Sequence, residues 1–223
     1  MITVFLPCRL GSQRVPDKNI RNFAGIEGGL LRIKLDQLCK VNSIDSIILS
    51  SNDARVLDFA AKYSDSRLVL DERPDELGRS TTTTDELIQY VPKIIREGDI
   101  LWTHVTSPFF NDLDYEQVIK CYYEKIKTGY DSLMTVFKVQ GFIWNKNGPL
   151  NYNREPLNWP MTQNLEPLYE VDSAVFLSNL ESYINYNDRI GQRPFLFEQD
   201  KNKSIDIDWP EDFTFAEKLW TKL

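Results

Sequence analysis

Ile2-Thr-Val-Phe-Leu6, followed by Pro7-Cys-Arg9-Leu-Gly11-Ser12-Gln13-Arg14-Val-Pro16-Asp-Lys18-Asn19, is the stretch on which the fold turns. The first five residues make a short, mostly apolar run, the pattern of a buried strand. The residues after Leu6 are too polar to continue it, and Gly11 permits a tight turn. Arg9, Arg14 and Lys18 put three cations into this one loop. Downstream the alternation repeats. Leu30 to Val41 has helical spacing, and Asp45 to Ser50 reads as a second strand. Ala54 to Tyr63 is a helix with Asn52 or Asp53 as its cap. Arg67 to Leu70 is a third strand. Thr84 or Asp85 caps a helix towards Glu97, with Pro92 as a kink or interruption and Gly98 as its stop. Asp99 to His104 is a strand, Leu113 to Lys127 a helix stopped by Gly129, and Ser132 to Val139 a strand. Such β-α-β alternation predicts an α/β fold, a doubly wound and mostly parallel sheet with helices on both faces. Ligands bind such sheets beyond the carboxyl ends of the strands, so the loops there carry the interest.

From Gln140 to Tyr169 helical periodicity disappears, and Asn, Pro, Gly and aromatic residues dominate. A segment this long and this aromatic reads as a packed arm rather than a loose loop. Further strands are expected at Ser173 to Leu177, Pro194 to Glu198 and Ser204 to Ile207, then a helix from Trp209 to Leu223. At about 150 residues per domain, 223 residues give one full domain with an appendage. The expected organisation is one domain, 1–223, carrying an arm at 140–170.

The composition is 42% hydrophobic and 26% charged, which excludes a disordered chain. A formal net charge of −7 argues against a general binder of nucleic acid or membrane surface, though not against a small anion held by a local basic cluster. Cys8, Cys39 and Cys121 are widely spaced and form no CxxC pair, so reduced thiols and a cytoplasmic protein are expected. The opening apolar run is too short for a signal peptide, and no run of about 18 apolar residues predicts a membrane span. A single histidine, His104, weighs against zinc sites, Cys-His pairs and Ser-His-Asp triads.

Four segments carry possible chemistry. The first loop offers Arg forks and a Lys point charge suited to phosphate oxygens. It lacks GxxxxGK[ST] and GxGxxG, and a solvated basic turn is the other reading. Asp206-Ile-Asp208, placed on a strand, would aim both carboxylates at one hard cation such as Mg²⁺. Asp208-Trp-Pro-Glu211 also fits a helix N-cap with a capping-box Glu and an early Pro. In Asp71 to Thr82, Arg73 and Arg79 are spare cations, while the Ser/Thr run either meets an anion or caps a helix. In Trp102-Thr-His104-Val-Thr106-Ser107-Pro108, His104 either orients a substrate group or is a packing residue.

Taken together and in this order, Pro7-x-Arg9-x-x-Ser12-x-Arg14-x-Pro16-x-Lys18-Asn19, Arg73-Pro-x-Glu-Leu77, Thr106-Ser107-Pro108 and Asp206-Ile-Asp208-x-x-x-Asp212 resemble the acylneuraminate cytidylyltransferase family. The opening loop is most similar to relatives that activate pseudaminic or legionaminic acid. CMP-Kdo synthetases share the Arg9, Ser12, Arg14, Pro16 and Lys18 spacing, but the Thr-Ser-Pro turn favours the sialic-acid side. The resemblance implies a Rossmann-like nucleotidyltransferase sheet. It implies CTP phosphates held by Arg9, Ser12, Arg14 and Lys18, with Asn19 and Arg73 near the nucleoside. It implies Mg²⁺ on Asp206 and Asp208, and an acidic sugar whose hydroxyl displaces pyrophosphate, giving a CMP-sugar for surface glycans. Arg9, Lys18, Asp206 and Asp208 are the implied catalytic set, and Thr82, His104, Ser107 and Asp172 join the binding set. The arm is the implied dimerisation element of a homodimer.

Departures concentrate in the sugar half. Gln13 stands for a usual Lys, Ser80 for an Asp, His104 for a Gln and Phe110 for an Arg. Glu170-Val171-Asp172-Ser173 replaces Arg-Pro-Asn-Gly, so an acid stands where a cation would face the sugar carboxylate. The acceptor expected from this is not ordinary N-acetylneuraminate. A nucleotide-sugar-dependent glycosyltransferase using its DxD, and a degenerate nucleotide-binding module, are the competing readings.

Overall fold

A computed structural model describes residues 1–222. The apolar opening run forms β1 (Ile2–Cys8), which pairs in parallel with β2 (Ser46–Ser51) on one side and β4 (Asp99–Trp102) on the other. β3 (Leu68–Glu72) extends the parallel set beyond β2. Beyond β4 lies β8 (Leu168–Asn179), antiparallel to both β4 and β5 (Ser132–Val139), and β9 (Pro194–Glu198) closes the sheet parallel to β5. The seven strands run β3-β2-β1-β4-β8-β5-β9. The winding reverses between β1 and β4, which opens a crevice beyond their carboxyl ends.

Alternate side chains of β1 serve opposite faces. Val4 and Leu6 join the larger core with α1 (Gly29–Leu38), α4 (Asp112–Ile126) and α6 (Pro210–Trp220). Phe5 joins a second core with Trp102, Phe176, α3 (Thr84–Ile94) and α5 (Leu180–Asn185). No helix of the described residues is long and apolar enough to cross a membrane.

Several boundaries differ from the sequence reading, each for a local reason. Asp53 caps α2 (Ala54–Ala60), accepting from Arg55 N at 3.0 Å. The cap of α3 is Thr83, one residue earlier than expected, in a reciprocal box with Glu86. That helix tolerates Pro92 in its final turn and ends at Ile94 rather than reaching Glu97. Gly98 has φ 86°, and a Cβ there would stand 2.7 Å from the Met1 carbonyl oxygen. β8 is twelve residues long where a shorter strand was expected, and α5 was not foreseen. Ser204 to Ile207 is not a strand: its Ile207 N–H donates to Thr106 O at 2.9 Å without a ladder. The end of the last helix expected at Leu223 lies outside the described residues.

Residues 140–167 hold a two-stranded pair, β6 (Trp144–Asn145) with β7 (Gly148–Pro149). Phe142 packs its ring 5.1 Å from Tyr152 and 5.3 Å from Trp159. Buried Asn151 donates to the carbonyls of Gly141 and Glu166, both at 2.8 Å. The segment is organised around its own aromatic cluster and this amide.

Candidate active site

β1 delivers the chain to the crevice at Cys8, and local bonds then shape the basic loop. Asn19 Nδ2 donates to Arg9 O at 3.1 Å, and Leu10 N–H donates to Asn52 Oδ1 at 2.9 Å. Val15 is buried beneath the loop, which keeps its polar neighbours on the open side. From there Lys18 Nζ spans to the far end of the sequence, donating to Ile207 O at 2.6 Å and lying 3.2 Å from Asp208 Oδ1. Arg14 meets the same carboxylate oxygen at 3.1 Å and stacks over Trp209.

A cavity of about 550 Å³ results. Of the residues singled out from the sequence, Arg9, Ser12, Arg14, Lys18, Asn19, Arg73, Thr82, His104, Asp206 and Asp208 line it, as do the altered positions Gln13 and Ser80. Arg73 is buried, and its Nε donates to Ser50 Oγ at 3.1 Å. His104 Nε2 accepts from Trp102 Nε1 at 2.7 Å, which assigns its proton to Nδ1. Burial, aided by Arg189, Lys18 and Lys34, pushes the His104 pKa down to about 3, so the ring is neutral at physiological pH. Packing and orienting are therefore both open to it, but acid-base exchange near neutrality is not.

Two expected residues stand outside this cavity. Ser107 is buried behind it with its Oγ unpartnered among the described residues, and its carbonyl accepts from Lys34 Nζ at 2.9 Å. Phe110, another altered position, is likewise core, edge-on to Tyr115. Asp172 instead lines an adjoining cavity of about 540 Å³ with Glu170, Phe137 and Lys201. Ser173, Asp206 and Asp208 line both spaces.

Ser173 owes that position to an irregularity in the β5–β8 pairing, where the register shifts between Met134 and Val136. Its φ of 63° lies in the left-handed region, a strained conformation for a side-chain-bearing residue. Thr135 Oγ1 bonds across the bulge, donating to Asp172 Oδ1 at 2.5 Å and accepting from Val175 N–H at 2.9 Å.

The cap at the start of α6 falls to Asp212, which accepts from Trp209 N at 2.8 Å and Asp208 N at 3.1 Å. Asp208 is thereby released from the capping role that the sequence left open. Asp206 is half-buried with Oδ1 unpartnered among the described residues. Burial, with the Asp208 and Asp172 carboxylates nearby, pushes its pKa up to about 6. An orphaned acid beside a second carboxylate is a donor set suited to a hard cation. Among the described residues no group of three or more His, Cys, Asp or Glu could hold a metal, so the pair supplies at most part of a coordination shell. Mg²⁺ commonly takes the remainder from phosphate oxygens and water.

Sequence reasoning missed Arg189 and Trp102, which line the cavity beside His104. No motif marks Arg189, whereas Trp102 was legible as the end of an apolar strand.

Known proteins of similar sequence and fold place the chain in a family. The sequence model of the cytidylyltransferase family matches residues 3–222. The chain is 23% identical to a pseudaminic acid cytidylyltransferase of Campylobacter jejuni, covering 96% of this chain and 94% of that one. It is 24% identical to a CMP-N,N'-diacetyllegionaminic acid synthase of Legionella pneumophila, over 98% and 95% of the two chains. An N-acylneuraminate cytidylyltransferase of Streptococcus agalactiae is 22% identical over 93% of this chain and half of its own length. Among solved structures, the fold is similar to a CMP:2-keto-3-deoxy-manno-octonic acid synthetase complexed with CTP. That match has a TM-score of 0.69, 14% identity and coverage of 99% and 98%. The 4-diphosphocytidyl-2C-methyl-D-erythritol synthase of Anaerococcus prevotii has a TM-score of 0.68, at 16% identity and coverage of 99% and 96%. With its family pattern matched almost end to end and its basic loop facing an aspartate pair, the chain belongs to the cytidylyltransferase family.

Proposed function

We propose that the protein uses CTP to activate an acidic sugar of the nonulosonic type, forming a CMP-sugar and pyrophosphate. One observation carries this reading: the basic loop and the Asp206–Asp208 pair face one cavity, and Ser173, Asp206 and Asp208 continue into a second. The first space suits a triphosphate and the second an acceptor. A hydroxyl oxygen of the sugar forms a bond to the α-phosphorus while the bond from that phosphorus to the bridging oxygen breaks. The hydroxyl proton leaves to solvent, and pyrophosphate departs with the electron pair. Such a transfer needs charge neutralisation and positioning rather than a covalent nucleophile. Arg9, Arg14 and Lys18 supply the positive charge, and Asn19 and Arg73 steady the nucleoside end. Mg²⁺ fits Asp206 and Asp208, where it would offset charge on the phosphate oxygens. The 140–170 arm, with exposed Leu157, Trp159 and Met161, is the element we assign to homodimer formation. Free Cys8, Cys39 and Cys121 suit a reducing cytoplasm.

Pyrophosphate release from CTP, measured over pseudaminic, legionaminic and N-acetylneuraminic acids with and without Mg²⁺, tests this. Release that needs CTP, Mg²⁺ and one of the first two acids is expected. Normal turnover with N-acetylneuraminate would overturn the altered-acceptor reading, and CTP binding without release from any acid would point to a binding module.

A further inference from the structure

Arg189 is a guanidinium with no carboxylate in contact among the described residues and no assigned role. It lies beyond α5 and folds back under the cavity, its Cζ 3.5 Å from the Phe176 ring centroid and 5.2 Å from that of Trp102. Two aromatic rings thus fix its side chain, which removes much of the entropy an arginine loses on gripping a ligand. Its backbone is tied too, the Arg189 carbonyl accepting from Ser178 Oγ at 3.1 Å. Burial pulls its pKa below the ordinary value, with only Tyr183 and Asp188 nearby to oppose that, and neither lies within salt-bridge distance. A charge held at such cost, stacked rather than paired, is one kept free for an anion.

Position identifies which anion. Arg9, Arg14 and Lys18 crowd the end of the cavity formed by the first loop. Arg189 lies beside His104, at the carboxyl end of β4, and shares the lining with Ser173, which opens onto the adjoining space. That adjoining space has Glu170 and Asp172 on its wall and Lys201 as its one cation among the lining residues. Lys201 is solvent-exposed, with its Nζ 5.8 Å from the Phe137 ring centroid. Arg189 is therefore a fixed cation of the cavity that Ser173 joins to the adjoining space, and unlike Arg14 and Lys18 it does not rest on the Asp208 carboxylate.

We propose that Arg189 is the binding group for the carboxylate of the acceptor sugar. This inference rests on the cytidylyltransferase reading given above. A guanidinium fork matches a carboxylate with two parallel N–H···O bonds, which sets the orientation of the acceptor as well as its affinity. Arg189 would thus supply from the segment after α5 the cation missing at Glu170.

Steady-state kinetics of the full-length protein with CTP and pseudaminic acid, or whichever acid wild type turns over, provides the test. Each substrate is compared with its carboxamide, which keeps the shape and loses the charge. Arg189→Gln should raise KM for the acid roughly 10–100-fold, with KM for CTP changed less than about two-fold. The preference of wild type for acid over carboxamide should collapse in this variant and return in part in Arg189→Lys. Because the preference is a ratio measured on one preparation, partial misfolding does not alter it. A preserved preference in Arg189→Gln would overturn the proposal. So would a rise confined to KM for CTP, which would move Arg189 to the phosphates, or a collapse produced by Lys201→Gln instead. If wild type released no pyrophosphate with any acid, the cytidylyltransferase reading would fail. The binding of pseudaminic acid, followed by calorimetry with wild type and Arg189→Gln, would then decide the role of Arg189 separately. Equal affinities would overturn it.

Discussion

The Lys34 ammonium, on α1, lies 2.7 Å from the Tyr115 hydroxyl, on α4, in a space closed to solvent. Its other donors reach Ser107 O at 2.9 Å and Phe110 O at 3.3 Å, while Gln37 Nε2 donates to Pro108 O at 2.6 Å. Thr103 Oγ1 sits 2.7 Å from the same hydroxyl and donates to Ala174 O at 2.7 Å. One buried cation therefore ties the loop after β4 to the bulged stretch of β8. Lys34→Met fills the space but leaves three acceptors short of donors, and a loss of roughly 2–4 kcal/mol is expected in urea unfolding.

The same lysine gives a pH signature. Burial pulls its pKa down to about 7, well below the value in an unfolded chain. Between about 7 and about 10 the unfolded chain holds a proton that the folded one has released, so this group makes stability rise with pH across that window. Below it both forms are protonated and the contribution is flat. Buried Cys8, pushed up to about 12, acts in the opposite sense above its unfolded pKa. The informative quantity is thus the difference between wild type and Lys34→Met, measured by urea midpoints from pH 6 to about pH 9. The gap should narrow in Lys34→Met as the pH falls.

Arg67 spends its whole fork. It donates to Asp65 through Nε and Nη2, to Val41 O and Ile44 O through Nη1 at 2.7 and 3.1 Å, and to Cys39 O at 2.6 Å. These carbonyls lie at the end of α1 and in the turn before β2. Arg67→Lys keeps the charge but reaches fewer of them, and a thermal midpoint lower by several degrees is expected, from a loss of roughly 1–3 kcal/mol. Turnover at low temperature should stay within two-fold of wild type.

Asp206→Asn and Asp208→Asn should separate stability from activity. Each keeps the side-chain shape. Removing the orphaned charge at Asp206 should leave the thermal midpoint equal or higher, since burial already resists ionisation there. Turnover in Mg²⁺ should fall roughly 10²–10³-fold in both. Activity retained in either variant would refute the assignment.

Ser173 offers a backbone test. Glycine accepts a φ of 63° without penalty, so Ser173→Gly should be neutral to about 1 kcal/mol stabilising. Ser173→Val, with its branched Cβ, should cost roughly 1–3 kcal/mol. Chemical denaturation of both variants reads the difference.

Much of this architecture is legible in the amino-acid order alone. Ile2–Leu6 and Asp45–Ser50 announce themselves as strands because a two-sided sheet needs continuous apolar runs. The spacing from Arg9 to Lys18 marks where the basic loop lies. Less legible is anything made by distant pairing. β8 is exposed from Tyr169 to Val171 and its pairing is interrupted at Asp172 to Ala174, so no period of two survives there. Ser204 to Ile207 alternates like a strand, yet the site holds it as extended chain through Thr106. Ser107 and Phe110 look like site residues because they sit next to ones that are, while their side chains turn inward. Arg189 carries no local signal, since only packing against Phe176 and Trp102 gives it a place.

With Arg14 and Lys18 both resting on the Asp208 carboxylate, the basic loop carries its own intramolecular counter-anion. Anything negative that enters must outcompete a tethered monovalent group before it gains net attraction. A single phosphate offers little over the carboxylate it displaces, whereas a triphosphate brings several charges at once and leaves Asp208 free to turn elsewhere. If the loop holds phosphates as proposed, a triphosphate should bind it more tightly than a nucleoside monophosphate.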